Sequence, residues 1–264
     1  MKKKSLILLS ILFSLFIFEK TFSKAYFVGD IISNKIEVSK KLTLKLPEGE
    51  WEVVAKYVTS EYGLGLKGII LARAENNHVA ELFVISEFLL AGIYQAALNE
   101  AVYEITFKDK YDGCYERPEY YKLALYKKGS AHNCLVIGHS ETKKDIYFPE
   151  DPESTFAQLK KWLRQTNYTL PHIMLGSSHS YFSRMTGGNW YMLQYIVDPS
   201  LFDAPESKFK TEETSEYHKY NIEKHIEHKK VMDQFVKLSF QRHQEFEKII
   251  KARGFQRLKF EDLK

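Results

Sequence analysis

Much of the chain alternates between apolar and polar residues with a period of two. Leu42, Leu44 and Leu46 alternate with lysine and threonine, and this pattern predicts a β-strand with one buried face. Similar short stretches recur at 51–56, 67–73, 79–85, 101–107, 134–137, 146–148, 172–175, 179–184 and 190–197. Pro47–Glu50 is a typical turn sequence, so the first two stretches are predicted to form a hairpin. The pattern predicts a mainly antiparallel sheet of about eight strands.

Two further stretches predict short helices. The run that follows Ser86 is apolar on nearly every side to about residue 99, which favours a buried helix with Ser86 as its N-cap. Asp151 and Pro152 form a typical helix start, and Phe156 and Trp162 follow at helical spacing.

The C-terminal part predicts one long helix over 211–253, which ends at Gly254. Its apolar residues follow a 3.6-residue stripe through Ile222, Ile226, Val236, Phe240 and Ile250. A straight helix of this length would measure about 60 Å, whereas a compact domain of this size is only about 45 Å across. We therefore expect the helix either to break near His225–Lys230, where the stripe is polar, or to extend beyond the domain and support a partner.

These elements predict an α+β fold: a mainly antiparallel β-sheet with two shorter helices and a long C-terminal helix packed across one face. Hydrophobic residues make up 44% of the 264 residues, enough to bury a full core. Residues 26–264 are expected to form a single domain, strand-rich over 36–200, with the long helix at 211–253.

The first 25 residues are typical of a cleavable secretory signal peptide. Lys2, Lys3 and Lys4 are followed by an unbroken apolar run over 5–18. As a helix that run would be about 21 Å long, too short for a hydrocarbon core of roughly 30 Å. Small residues at Ser23 and Ala25 predict cleavage after Ala25. We expect a periplasmic or secreted protein without a membrane span after cleavage; the alternative is an uncleaved anchor.

The charge of the chain is balanced once the leader is removed. The leader holds five of the 38 basic residues and one of the 34 acidic residues, which leaves 33 of each. The formal charge of +4 therefore belongs to the leader, and the rest of the chain has no basic excess that would favour nucleic acid as a partner.

The two cysteines, Cys114 and Cys134, are predicted to form a disulfide, because an exported chain meets an oxidising compartment. Closing this loop would stabilise the fold by roughly 3 kcal/mol in the chain-entropy model. The alternative is a catalytic thiol at Cys134, beside His132 and Asn133. The apolar residues that follow Cys134 predict a strand instead of the helix N-terminus that often activates such a thiol.

Tyrosines are concentrated around the cysteine loop. Their rings offer rigid contact area to a glycan, a peptide or a small ligand, and the alternative is that they pack the loop onto the sheet. The ligand-binding candidates are Tyr111, Tyr115, Tyr120 and Tyr121, with Tyr126 nearby.

Histidines give no complete metal site. His218, His225 and His228 lie close together in the predicted long helix, but neither H-E-x-x-H nor a Glu-x-x-His pair is present. We interpret the three as part of a solvated polar face. His243 falls on the apolar stripe and is predicted to be a hydrogen-bonded core residue.

No sequence motif specifies a reaction or a cofactor: there is no phosphate-binding loop, dinucleotide fingerprint or nucleophile elbow. We therefore expect an exported, non-enzymatic protein that binds a small ligand, a glycan or an envelope protein. The alternative is a His-dependent hydrolase or metal-dependent enzyme of the cell envelope. That alternative requires two or more members of one set to meet an acid in one concave pocket. The set is His132, His139, His172 and His179.

Overall fold

The structure is a computed structural model. It describes residues 26–39, 42–61, 64–90, 114, 119–128, 131–142, 155–183, 190–209, 211–250 and 257–263.

The core of the fold is one eight-stranded sheet in which every pair of neighbouring strands is antiparallel. The strands are β1 Ile31–Ser39, β2 Leu42–Glu61, β3 Leu64–Glu75, β4 His78–Leu90, β5 Lys122–Lys128, β6 Ala131–Glu141, β7 Ile173–Ser183 and β8 Trp190–Val197. Their order is β1-β2-β3-β4-β8-β7-β6-β5, so two four-stranded meanders join where β4 pairs with β8. The predicted mainly antiparallel sheet is confirmed. The predicted strands at 101–107 and 146–148 lie outside the described residues.

The predicted hairpin at Pro47–Glu50 is wrong, because β2 continues through these residues. Their turn geometry instead produces a large bulge: Ser33 of β1 pairs with Glu50, and Lys35 pairs with Lys45. Gly49 has a φ of 121°, which glycine adopts without strain. The Trp51 indole N–H donates to the Pro47 carbonyl at 3.0 Å and so closes the bulge.

Two other strand boundaries differ from expectation. The two predicted strands at 172–175 and 179–184 form the single strand β7, because Gly176 and Ser177 pair with β6 instead of breaking the chain. The helix predicted from Ser86 is also wrong at its start, since Ser86–Leu90 belong to β4. Ser86–Leu90 pair with β3, and Ser86–Phe88 pair with β8 on the other side, so the start of the run is a central strand. The rest of the run lies outside the described residues.

Helix α1, Thr155–Thr166, covers the first meander on one face of the sheet. Leu159, Trp162 and Leu163 point into a cluster with the β2–β4 side chains of that face. The Gln158 amide bonds both the backbone N–H and the carbonyl of Lys56, at 3.0 and 2.8 Å, and so fixes the helix to β2. The predicted cap, Asp151, lies outside the described residues.

Helix α2, Ile226–Ile250, is shorter than the predicted 211–253. Residues 211–221 form turns, Ile222–Lys224 form one 3-10 turn, and His225 has a non-helical backbone with φ −123° and ψ 74°. The long helix therefore breaks at His225, within the polar stretch His225–Lys230 where a break was predicted. At 25 residues the helix is about 37 Å long and fits within the domain.

Helix α2 lies on the opposite face from α1, and the sheet is curved around it. The helix contacts β2 near one edge and β6 near the other. Those two strands are five positions apart in the sheet, which corresponds to about 24 Å if the sheet is flat, whereas a helix is only 10–12 Å wide. The sheet must therefore curve for one helix to contact both strands. The concave face holds the larger core, with Trp51, Phe83, Tyr195, Phe235 and Phe246.

Candidate functional site

A polar cavity lies over β6, β7 and β8 on the face that α1 covers only in part. It has a volume of about 460 Å³. We call it the sheet cavity and define it by Ser140, Ser178, Ser180, Met192, Gln194 and Ile196.

The residue pattern of β7 explains why there is room here. Side chains alternate between the two faces of a strand. On β7 the concave face carries Leu175 and Tyr181, whereas the cavity face carries Gly176, Ser178 and Ser180. β6 contributes Gly138 in the same way, in register with Gly176. Small side chains on adjacent strands therefore form a shallow floor.

The lining suits a neutral hydroxylated ligand. Serine hydroxyls and the Gln194 amide both donate and accept hydrogen bonds. Glu119 and Glu212 also line the cavity, and no lysine or arginine is among the lining residues that the structure describes.

The cysteine loop borders this cavity. The sulfur atoms of Cys114 and Cys134 lie at disulfide distance, 2.05 Å, and both residues are buried in a small cluster with Leu123 and Val136. Tyr120 packs against that cluster, and Cys114 and Tyr120 both line the cavity. The segment that the sequence singled out thus forms part of the cavity wall.

The tyrosine candidates separate into different roles. Tyr120 lines the sheet cavity, whereas the Tyr121 hydroxyl donates to Asp233 of α2 at 3.0 Å. Burial and the nearby Asp233 carboxylate raise the pKa of Tyr121 above its ordinary value. Tyr126 packs against the concave core. Tyr111 and Tyr115 lie outside the described residues.

One trio of residues has the spacing of metal ligands. The ligand atoms of Cys114, His132 and Cys134 lie within 4.8 Å of one another, and His132 Nε2 is 3.7 Å from Cys114 Sγ. A metal binds the thiolate form of cysteine. The two sulfur atoms lie at bonding distance from each other, so only the reduced form would offer thiolates to a metal.

The four histidines of the enzyme alternative do not come together. His139 borders the sheet cavity and donates through Nε2 to the Glu212 carbonyl at 2.9 Å, and burial lowers its pKa. His132 lies beside the cysteines, and His172 is exposed. His179 lies beneath α2 on the concave face. Only one of the four reaches the cavity.

A continuous chain of buried hydrogen bonds joins β6 and β7 to α2. Ser177 Oγ lies 3.2 Å from His179 Nε2, and His179 Nδ1 lies 3.1 Å from His243 Nδ1. His243 Nε2 lies 2.8 Å from Asn133 Oδ1, and the Asn133 amide donates to Glu247 Oε1 at 2.5 Å. We call these five residues the buried chain.

The buried chain has one consistent direction when both histidines are neutral. Asn133 Oδ1 can only accept, so His243 carries its proton on Nε2 and accepts at Nδ1. The Tyr181 hydroxyl also lies 3.0 Å from His243 Nδ1, but it donates its proton to the His243 carbonyl at 2.9 Å. His179 therefore donates to His243 Nδ1 from its own Nδ1 and accepts at Nε2 from Ser177. Burial lowers the pKa of His243 to about 3 and that of His179 well below 6.5, which fits this assignment. The prediction that His243 is a hydrogen-bonded core residue is confirmed.

The same burial makes the fold sensitive to acid. In the unfolded chain both histidines bind a proton near pH 6.5, whereas in the folded chain they do not until far lower pH. The two neutral histidines contribute fully to the free energy of unfolding above about pH 6.5, and this contribution is lost as the pH falls toward 3. Burial raises the pKa of Glu247. This shift has the opposite effect, because the fold loses stability as the Glu247 carboxyl ionises with rising pH.

The solvated face predicted for His218, His225 and His228 is wrong for two of the three, since His218 and His228 are both 8% exposed. Because residues 211–221 are not helical, His218 does not share a helix face with His225 and instead lies 5.8 Å from His139, centroid to centroid. His228 packs edge-on against Tyr217 at 5.0 Å.

The sheet cavity is the feature that sequence reasoning missed. The signal for it was present in Gly176–His179, where glycine and serine occupy the positions that alternate with the buried ones. The alternation becomes apparent only when Ile173–Ser183 is recognised as one strand.

Comparisons with family models, with curated proteins and with solved structures found no match for this chain. Among the described residues, neither helix is both long and apolar enough to cross a membrane.

Two substitutions of Glu247 test the buried chain. Glu247→Gln keeps an oxygen that can accept from Asn133 and from the Leu258 N–H, so its unfolding free energy at pH 7 should stay within about 0.5 kcal/mol of the parent. Glu247→Leu leaves both buried donors without an acceptor and should cost about 1–3 kcal/mol. Urea denaturation measures both variants. Equal losses of unfolding free energy in the two variants would show that the negative charge of Glu247, and not its acceptor oxygen, stabilises the buried chain.

Proposed function

We propose that the chain is an exported, non-enzymatic binding protein that holds a small neutral polyhydroxyl ligand, such as a saccharide, in the sheet cavity. The observation that carries the proposal is the floor of small hydroxyl side chains on β6 and β7, with Gln194 of β8 beside it. Such a surface can donate to and accept from several ligand hydroxyls at once.

The walls of the cavity support the same ligand class. Tyr120 supplies an aromatic ring, and Met192 and Ile196 supply apolar contact for the C–H face of a sugar ring. A volume of about 460 Å³ is within the usual range of small-molecule sites.

Binding is favoured over catalysis by the placement of the histidines. A hydrolase needs a base and an acid within reach of one bound substrate. His139 is the one member of its set at the cavity, and its Nε2 is engaged by the Glu212 backbone. His179 is committed to the buried chain beneath α2.

Export is supported by two features of the chain. The N-terminal 25 residues have the layout of a signal peptide. Cys114 and Cys134 lie at disulfide distance, as an oxidising compartment would allow. We propose a periplasmic or secreted location on these grounds.

Saccharide binding is the direct test. Thermal shift with glucose, galactose, N-acetylglucosamine and trehalose should identify at least one that raises the melting temperature, and calorimetry then gives its Kd. Gln194→Leu removes a donor and an acceptor and should weaken that saccharide about tenfold, equivalent to about 1.4 kcal/mol.

Gln165→Leu is the matched control, because Gln165 is exposed on α1, away from the cavity. It should leave the Kd unchanged. The proposal is overturned if no saccharide binds, or if Gln194→Leu has no more effect than Gln165→Leu. Binding of putrescine without any saccharide would show that the two carboxylates select a cationic ligand instead.

Intact mass spectrometry tests the export part. The protein purified from a periplasmic fraction should begin at Tyr26 and gain two hydrogens on reduction, since Cys114 and Cys134 are then released from their bond. A retained leader, or free thiols before reduction, would contradict export with a disulfide. A metal retained in the native spectrum would favour the metal-dependent alternative.

A further inference from the structure

A second cavity, of about 410 Å³, lies on the concave face between the β2 bulge and α2. It is on the opposite face from the sheet cavity. We call it the helix cavity and define it by Pro47, Phe83, Leu238, Arg242, Glu245 and Phe246. The bulge creates it, since Leu46–Glu48 leave the regular ladder with β1 there.

Arg242 places a half-buried guanidinium in the wall of this cavity. Its guanidinium carbon lies 3.6 Å from the centre of the Tyr195 ring, a close cation–π contact. In the described part of the chain Arg242 forms no ion pair, and its Nη1 atom is buried without a hydrogen-bond partner. A buried N–H donor without an acceptor is costly.

A buried acid beside Tyr195 is already engaged. Glu81 accepts a hydrogen bond from the Tyr195 hydroxyl and forms an ion pair with Arg73. Its charge is therefore shared with another arginine. The buried Nη1 atom of Arg242 remains a donor that an external carboxylate could satisfy.

The rest of the wall combines an apolar floor with a balanced rim. Phe83 and Phe246 are buried, with ring centroids 6.1 Å apart, and Leu238 is half-buried beside them. Lys45, Glu48 and Glu245 also line the cavity, so its two cations are matched by two acids. A multiply charged anion would be repelled by those acids more strongly than a single negative charge placed beside Arg242.

We propose that the helix cavity binds a monocarboxylate with an apolar body, such as a medium-chain fatty acid. The carboxylate pairs with Arg242, and the hydrocarbon lies over Phe83, Phe246 and Leu238. Arginine is suited to this role because its planar guanidinium presents paired donors to a carboxylate. The proposal does not depend on the saccharide site, which lies on the other face.

Calorimetric titration with sodium octanoate tests the proposal, and 1-octanol serves as the uncharged probe with the same tail. Octanoate should bind at least tenfold more tightly than 1-octanol. Arg242→Gln should remove this difference, weakening octanoate at least tenfold while leaving 1-octanol unchanged. Arg164→Gln, at an exposed arginine of α1, is the matched control and should change neither.

A second variant keeps the test decisive if Arg242→Gln does not fold. Glu245 is exposed at the rim, so Glu245→Gln should preserve the fold and strengthen octanoate about two- to threefold by removing a like charge. The proposal is overturned if 1-octanol binds as tightly as octanoate, or if Glu245→Gln and any folded Arg242→Gln leave octanoate binding unchanged.

Discussion

Helix α2 occupies the concave face of the sheet, and it brings His243 and Glu247 into the core at 0% and 6% exposure. Apolar packing alone does not specify how far such a helix is rotated or shifted along its axis, because neighbouring turns of its stripe are similar. The buried chain removes that ambiguity. Each of its polar groups would be left unsatisfied by a shift of one turn, at a cost of about 1–3 kcal/mol per group. It therefore fixes the position of α2 over β6 and β7.

The placement of α2 decides what each face of the sheet can do. On the concave side the helix packs in the curve of the sheet, and the helix cavity lies where the β2 bulge leaves the regular ladder, beside Arg242. On the other side α1 covers β2 and β3, and the Gly- and Ser-rich part of β6 and β7 borders the sheet cavity. Two cavities of similar size therefore differ in chemistry: one has serines and Gln194 in its lining, and the other has aromatic rings and a half-buried arginine.

The sheet could be predicted from the sequence because alternation is a local signal. The alternating leucines of Leu42–Leu46 predict a strand with one buried face without reference to any other segment, and Leu42, Leu44 and Leu46 are all buried. The core role of His243 followed in the same way from its place on the apolar stripe.

Features that depend on distant partners could not be predicted. The turn residues Pro47–Glu50 fit a bulge within one strand as well as a hairpin between two strands. The apolar run after Ser86 fits a central strand as well as a buried helix. The His243 partner of His179 and the Tyr195 ring beside Arg242 come from segments more than 45 residues away.

Nitrogen-15 correlation spectra of the histidine rings would test most directly whether the buried chain holds α2 in place. The account predicts that His243 carries its proton on Nε2 and His179 on Nδ1, that both rings are neutral at pH 7, and that neither changes at pH 5 while the protein stays folded. A ring that titrates near pH 6.5, or a proton on His243 Nδ1, would contradict it. Either result would mean that the hydrogen bonds between the sheet and α2 do not have the direction on which the position of the helix depends.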